Sequence, residues 1–91
     1  MKLKDGYITH DLGGDTILLT VGDAAKSFNG MVRLNETAAF LVERLKKGTG
    51  EEQLVDALLA EYDVQREDAA AHVKAFLKNL DEIGALDHRT S

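Results

Sequence analysis

Met31-Val32-Arg33-Leu34-Asn35-Glu36-Thr37-Ala38-Ala39 decides how this chain folds, because a short apolar strand runs there directly into the opening of a helix. Asn35 is a favourable N-cap: its side-chain oxygen can accept from an otherwise orphaned N–H of the first turn. Glu36, just inside, complements the helix dipole. The helix so launched runs to about Lys47, with Ala38, Leu41, Val42 and Leu45 on one stripe. Phe40 lies off that stripe, which predicts that the helix is covered on a second side. Lys46, Lys47 and Gly48 end it, cations near the carbonyl end and a glycine free to take the left-handed cap.

Upstream, Phe28-Asn29-Gly30 reads as the turn that starts the Met31 to Leu34 strand, and Gly22 to Ser27 as a loop. Tyr7 to Leu12 and Thr16 to Val21 flank Gly13-Gly14-Asp15, a spacing that predicts a β-hairpin. Ile17, Leu19 and Val21 alternate with Thr16, Leu18 and Thr20, so the first set is expected to lie half-buried on a helical layer. Downstream, Thr49 with Glu52 forms a capping box for a second helix, whose buried face would carry Leu54, Val55, Leu58, Leu59 and Tyr62. Asp63 to Arg66 is a break. A third helix follows, with Glu67 and Asp68 in its first turn and Ala69, Val73, Phe76, Leu80 and Ile83 along its core side. Gly84 and the polar tail Asp87 to Ser91 close the chain. The expected fold is α+β: one small winged-helix-like domain over residues 1–91, core about 7–86, with a three-stranded antiparallel sheet and three helices.

Composition narrows the function. A chain of 91 residues buries only about 60 to 65% of its unfolded surface, so there is no room for a second core. Its apolar runs are too short to span a bilayer, and Met1 to Gly6 is followed by no sustained apolar stretch, so a cytoplasmic location is the expectation. The absence of cysteine excludes disulfides, thiolate nucleophiles and cysteine-ligated metals. Residues 1–34 carry four Lys/Arg and four Asp, whereas residues 35–91 carry seven Lys/Arg against twelve Asp/Glu. The whole acidic excess sits in the helical half, which would repel phosphate.

Catalytic chemistry is not indicated. Ser27 and the threonines sit in no nucleophile elbow. His10, His72 and His88 have no metal-ligand spacing, and His72 one turn after Asp68 reads as a surface pair. Glu51-Glu52 and Glu67-Asp68 fall in first helical turns, where acids stabilise the dipole. Gly13-Gly14 lacks the following helix of a phosphate loop. The expectation is a non-enzyme with no cofactor and no metal.

Two binding readings remain. A winged helix suggests DNA, with the third helix in the major groove. That helix instead opposes Arg66, Lys74 and Lys78 with Glu67, Asp68, Asp81 and Glu82, and it places alanines at 69–71 where long polar side chains would be needed. The other reading uses an open sheet edge. If Met31, Val32, Arg33 and Leu34 form an edge strand, their unpaired backbone groups are a template for an incoming peptide strand. On a wheel at about 100° per residue, Ala70, Lys74, Leu77 and Asp81 fall on the shoulder beside the third helix's core stripe and could wall a groove. The same Leu77 and Lys74 could equally be a core leucine and a solvated lysine.

Leu34-Asn35-Glu36-Thr37-Ala38-Ala39, together with the element order from Tyr7 to Leu86, resembles the PqqD-like family, also called RiPP recognition elements. The resemblance implies a peptide chaperone that binds the leader of a ribosomally made precursor as an added strand, between the third strand and the third helix. It further implies presentation to a modifying enzyme, which in the pathway that gave the family its name is a radical SAM protein. By position, Met31, Val32, Arg33 and Leu34 would pair with the leader, and Ala70, Lys74, Leu77 and Asp81 would form the opposite wall. The loop from Gly22 to Gly30 is long for the family, and the first helix carries an extra residue before Gly48. Exposed edges also favour edge-to-edge pairing of two copies. The expected function is therefore a peptide-binding adaptor, with a small winged-helix DNA-binding or regulatory protein as the alternative.

Overall fold

The structure is a computed structural model that describes residues 1–27 and 30–88. In chain order the elements are β1 (Lys2–Leu3), β2 (Tyr7–Leu12), β3 (Asp15–Thr20), α1 (Ala24–Ser27), β4 (Met31–Leu34), α2 (Glu36–Lys47), α3 (Glu51–Glu61), α4 (Arg66–Glu82) and β5 (Leu86–Asp87). β2, β3 and β4 form the expected three-stranded antiparallel sheet in that order, and β1 pairs with β5 in a separate two-stranded ribbon. The expected α+β class holds. Phe28 and Asn29 of the expected turn, and residues 89–91 of the tail, lie outside the described residues.

The α2 junction forms as its sequence dictates. Asn35 Oδ1 accepts from the Ala38 N–H at 2.8 Å, and Gly48 closes the helix at φ 90°. Leu41, Val42 and Leu45 are buried, and Phe40 is covered by Tyr62 in an edge-to-face contact at 5.7 Å. The core gathers Leu18 from the sheet, these α2 residues, Leu54 and Leu58 from α3, and Val73 and Leu80 from α4.

Four expectations are corrected. First, Ile17, Leu19 and Val21 lie on the sheet face turned away from the helices: Val21 is exposed, Leu19 half-buried, and Ile17, though only 9% exposed, stands outside the core cluster that holds the fully buried Leu18. Apolar residues occupy both parities of β3, and the inner face is chosen by the company Leu18 keeps: its partners Thr9 and Val32, and next to them Tyr7 and Leu34, are the inward residues of β2 and β4. Second, the segment after Gly22 contains a one-turn helix, α1, so there are four helices among the described residues rather than three. Third, Thr49 makes no capping box. The helix starts one residue later with Gly50 as N-cap, because the Thr49 backbone is bonded both ways to Met1, N–H to carbonyl at 2.9 Å and carbonyl to the Met1 amine at 2.9 Å. Fourth, the buried stripe of α4 keeps Ala69, Val73 and Leu80 but takes Leu77, while Phe76 and Ile83 are half-buried at its margin. The core also reaches further N-terminally than Tyr7, since Leu3 opposite Leu86 is only 5% exposed.

Tyr7 ties the sheet to the end of α4. Its hydroxyl donates to the Ile83 carbonyl at 2.7 Å, and burial pushes its pKa up. Gly6, before it, has φ +89° and an absent Cβ that would stand 2.9 Å from the Val21 carbonyl oxygen, so only glycine fits this entry to β2. Tyr7→Phe leaves the Ile83 carbonyl without its donor and is expected to cost about 1–2 kcal/mol, read from the urea midpoint. The phenol is held protonated above its ordinary value of 10.0 in the folded state. The unfolded chain therefore loses that proton first, so the stabilisation is whole below that value and falls as pH rises through it. The gap between Tyr7→Phe and the parent protein should narrow in strongly alkaline buffer; a constant gap would show that the phenol does not report on folding.

Candidate functional site

The hairpin turn fixes which backbone groups of the sheet are left open. Gly13 and Gly14 have φ 57° and 106°, the two positive values of a type I′ turn, and Leu12 pairs with Asp15 across it. A two-residue turn of this kind is closed by a hydrogen-bonded pair, and such pairs then alternate along an antiparallel ladder. The Val21 N–H donating to the Gly6 carbonyl at 2.8 Å falls on the same alternation at the far end. Asp15, Ile17 and Leu19 therefore bond to β2, and Thr16 and Leu18 direct their N–H and C=O groups to β4. Their partners there are Leu34 and Val32. It follows that the N–H and C=O groups of Met31 and Arg33 point away from β3, along the outer edge of the sheet, where no described strand pairs with them.

The side chains of β4 divide in the complementary sense. Val32 and Leu34 turn inward, half-buried and buried, whereas Met31 is 68% exposed and Arg33 reaches Asp15 on β3 at 3.3 Å. The edge thus offers four main-chain groups from two residues whose side chains do not block it.

Beside the C-terminal end of β4 lies a cleft of about 220 Å3, lined by Asn35, Thr37, Ala38 and Leu41 on one side and by His72, Ala75 and Phe76 of α4 on the other. It is a mixed site: the Phe76 ring, Leu41 and two alanines offer apolar contact, and Thr37 and His72 offer hydrogen-bonding groups. Phe76, expected on the core stripe of α4, packs against the margin of the core and also lines the cleft.

Of the eight residues singled out from the sequence, Met31, Val32, Arg33 and Leu34 are together on the edge strand. The four from α4 lie on the shoulder opposite to the cleft. Leu77 is buried, Ala70 half-buried and Lys74 exposed, and Asp81 is bonded to His88 at 2.8 Å. Leu77 and Asp81 line a separate, wider depression of about 550 Å3 with Met1, Gly50, Glu51 and Leu86. No group of metal-ligating side chains exists among the described residues, and no described helix is long and apolar enough to cross a membrane.

A family model described as coenzyme PQQ synthesis protein D matches residues 15–86. Two solved structures share the architecture. One, "TbiB1 in Complex with the TbiA(beta) Leader Peptide", is 23% identical with a TM-score of 0.80, covers both chains completely, and at that identity establishes likeness of fold. The other, "Lasso peptide synthetase B1 complexed with the leader peptide", is 28% identical with a TM-score of 0.73 over 92% of this chain and 93% of that one. No curated protein matches the sequence.

The ladder assignment predicts a pattern of amide hydrogen exchange in the free protein. Met31 and Arg33 should exchange orders of magnitude faster than Val32 and Leu34, whose N–H groups are held by β3. Uniform protection along β4 would mean that the outer edge is already occupied.

Proposed function

The chain belongs to the PqqD family, and from that membership we infer that it is an adaptor binding the leader of a ribosomally made precursor peptide. The leader adds to β4 as a further strand. The single observation that carries this reading is the edge at Met31 and Arg33, open to main-chain bonding and flanked by a cleft able to select side chains. The two similar structures support it, since both are complexes with a leader peptide. The chain's own task is binding and presentation, within the cytoplasm where the precursor is synthesised. The covalent chemistry belongs to a partner enzyme, of the radical SAM class by analogy with the pathway that named the family.

Within this reading each strand residue has a distinct part. Met31 and Arg33 exchange backbone hydrogen bonds with the leader, and Val32 and Leu34 anchor the strand to β3 and the core. The wall facing the leader is the cleft side of α4, with His72, Ala75 and Phe76, rather than the shoulder of Ala70, Lys74, Leu77 and Asp81.

The test is a fluorescence-anisotropy titration with a labelled leader from a short peptide encoded beside the gene. Arg33→Pro removes an edge N–H without breaking the β3 ladder and should weaken binding about tenfold, while Arg33→Ala should stay within about twofold. Val32→Pro should instead unfold the strand, because its N–H bonds to Leu18. Phe76→Ala should weaken the leader and Lys74→Glu should not. Equal affinity for Arg33→Pro and Arg33→Ala in folded protein would defeat strand addition, and the reverse ranking of Phe76 and Lys74 would move the wall to the other shoulder.

A further inference from the structure

Five large apolar residues are strongly exposed among the described ones: Ile8, Leu12, Val21, Met31 and Val64. Four of them share one surface. Ile8 and Leu12 of β2, Met31 of β4 and Val21 just beyond β3 all project from the sheet face turned away from the helices, around Ile17 and Leu19. Ile8, Leu19 and Met31 stand side by side in one row across the three strands. Asp15 and Arg33 on this face are paired with each other, and His10 is its other polar strand residue, so it carries little net charge. Clustered exposed apolar area of this kind marks an interaction surface.

The size and position of the face indicate its occupant. Three side chains from β2, three from β3 and two from β4, with Val21, are far fewer than the roughly 20–30 residues a side of a stable interface. A lasting homodimer through this face is therefore disfavoured, and a partner that docks and leaves is favoured. The face is also continuous with the open edge, because Met31 and Arg33 contribute their side chains to the one and their backbone groups to the other. A leader strand added to β4 would widen it, placing alternate leader side chains in the same plane.

Resting on the leader-binding reading, we propose that this outer face is the docking surface for the enzyme that acts on the leader-borne peptide, which meets it with an apolar patch. The bound leader forms the fourth strand of that surface, so the enzyme reads adaptor and peptide together.

The experiment combines the adaptor, its precursor peptide and the modifying enzyme encoded with them. The double variant Ile8→Lys/Val21→Lys should keep its circular dichroism spectrum and bind leader within about twofold of the parent, yet lower the modification rate at limiting enzyme about tenfold or more. Val64→Lys, on the link between α3 and α4, should change neither. Raising salt from about 0.05 to about 0.5 M should leave the parent's rate advantage over the double variant in place, since apolar docking is not screened. Unchanged modification by the folded double variant overturns the proposal. So does a parent dimer in analytical ultracentrifugation that the double variant abolishes while modification persists, which would assign the face to a second copy. Failure of the parent to bind leader appears in the titration before enzyme is added, and it defeats the leader reading itself.

Discussion

The main-chain ladder of β3 is the constraint on which the rest of the structure depends. Among the described strands β3 is the one bonded on both sides, and alternation assigns its groups strictly, one parity to β2 and the other to β4. Once the Gly13-Gly14 turn closes on Leu12 and Asp15, nothing about the sheet is adjustable in single-residue steps, because a slip of one residue would turn Leu18 out of the core and Ile17 into it. The same alternation settles which backbone groups of β4 remain open and which of its side chains face outward. Register, core and edge are consequences of one turn.

An edge strand has one partner strand, and β4 has only four residues to pair with it. Its stiffness comes from its ends. Leu34 is buried against the core, and the chain passes at once into the Asn35 cap of α2, so the strand cannot fray at that end without uncapping a helix. On the other side of the molecule, Tyr7 holds Ile83 at the end of α4, and the β1–β5 ribbon carries the Leu3 and Leu86 pair into the core. α4 is thereby pinned at its C-terminal end, while Arg66 reaches Asp56 of α3 at 2.7 Å near its start. That ion pair is exposed and contributes little, so the wall is held chiefly by the buried side chains Ala69, Val73, Leu77 and Leu80, and a wall held in this way can select a side chain without first paying an ordering cost.

Much of this was legible in the sequence where local chemistry is decisive. Asn35, Gly48 and Gly13-Gly14 each demand one backbone geometry, and the strand-to-helix junction at Leu34 and Asn35 followed from them. The inner face of β3 was not legible, because Ile17, Leu18 and Leu19 make an unbroken apolar run and only cross-strand neighbours can choose between the parities. The burial of Leu77 rather than Phe76 was hidden for a similar reason: the two are adjacent and both apolar, and the choice between them is made by packing rather than by periodicity. The β1–β5 ribbon has two residues per strand, too few for alternation to register. Thr49 has the capping-box spacing to Glu52, and its backbone commitment to Met1, 48 positions away, lies beyond any local pattern.

The open edge alone does not make a selective binder. Four main-chain bonds at about 0.5–1.5 kcal/mol each supply about 2–6 kcal/mol, and main-chain bonds are blind to sequence. That range corresponds to affinities no better than roughly tens of micromolar. Burying one large apolar side chain adds about 1.5–3 kcal/mol, which at the upper end of the main-chain range carries the equilibrium to about micromolar. On the proposed reading, discrimination among peptides rests with the cleft at Phe76 and His72, and the edge fixes the register in which a peptide reaches it. The helical half carries the chain's acidic excess, and Lys74 and Lys78 on α4 are outnumbered by Glu67, Asp68, Asp81 and Glu82. A duplex would meet repulsion along the very helix that should enter its groove, whereas a peptide strand paired through its backbone at Met31 and Arg33 meets a half of the molecule with no net charge.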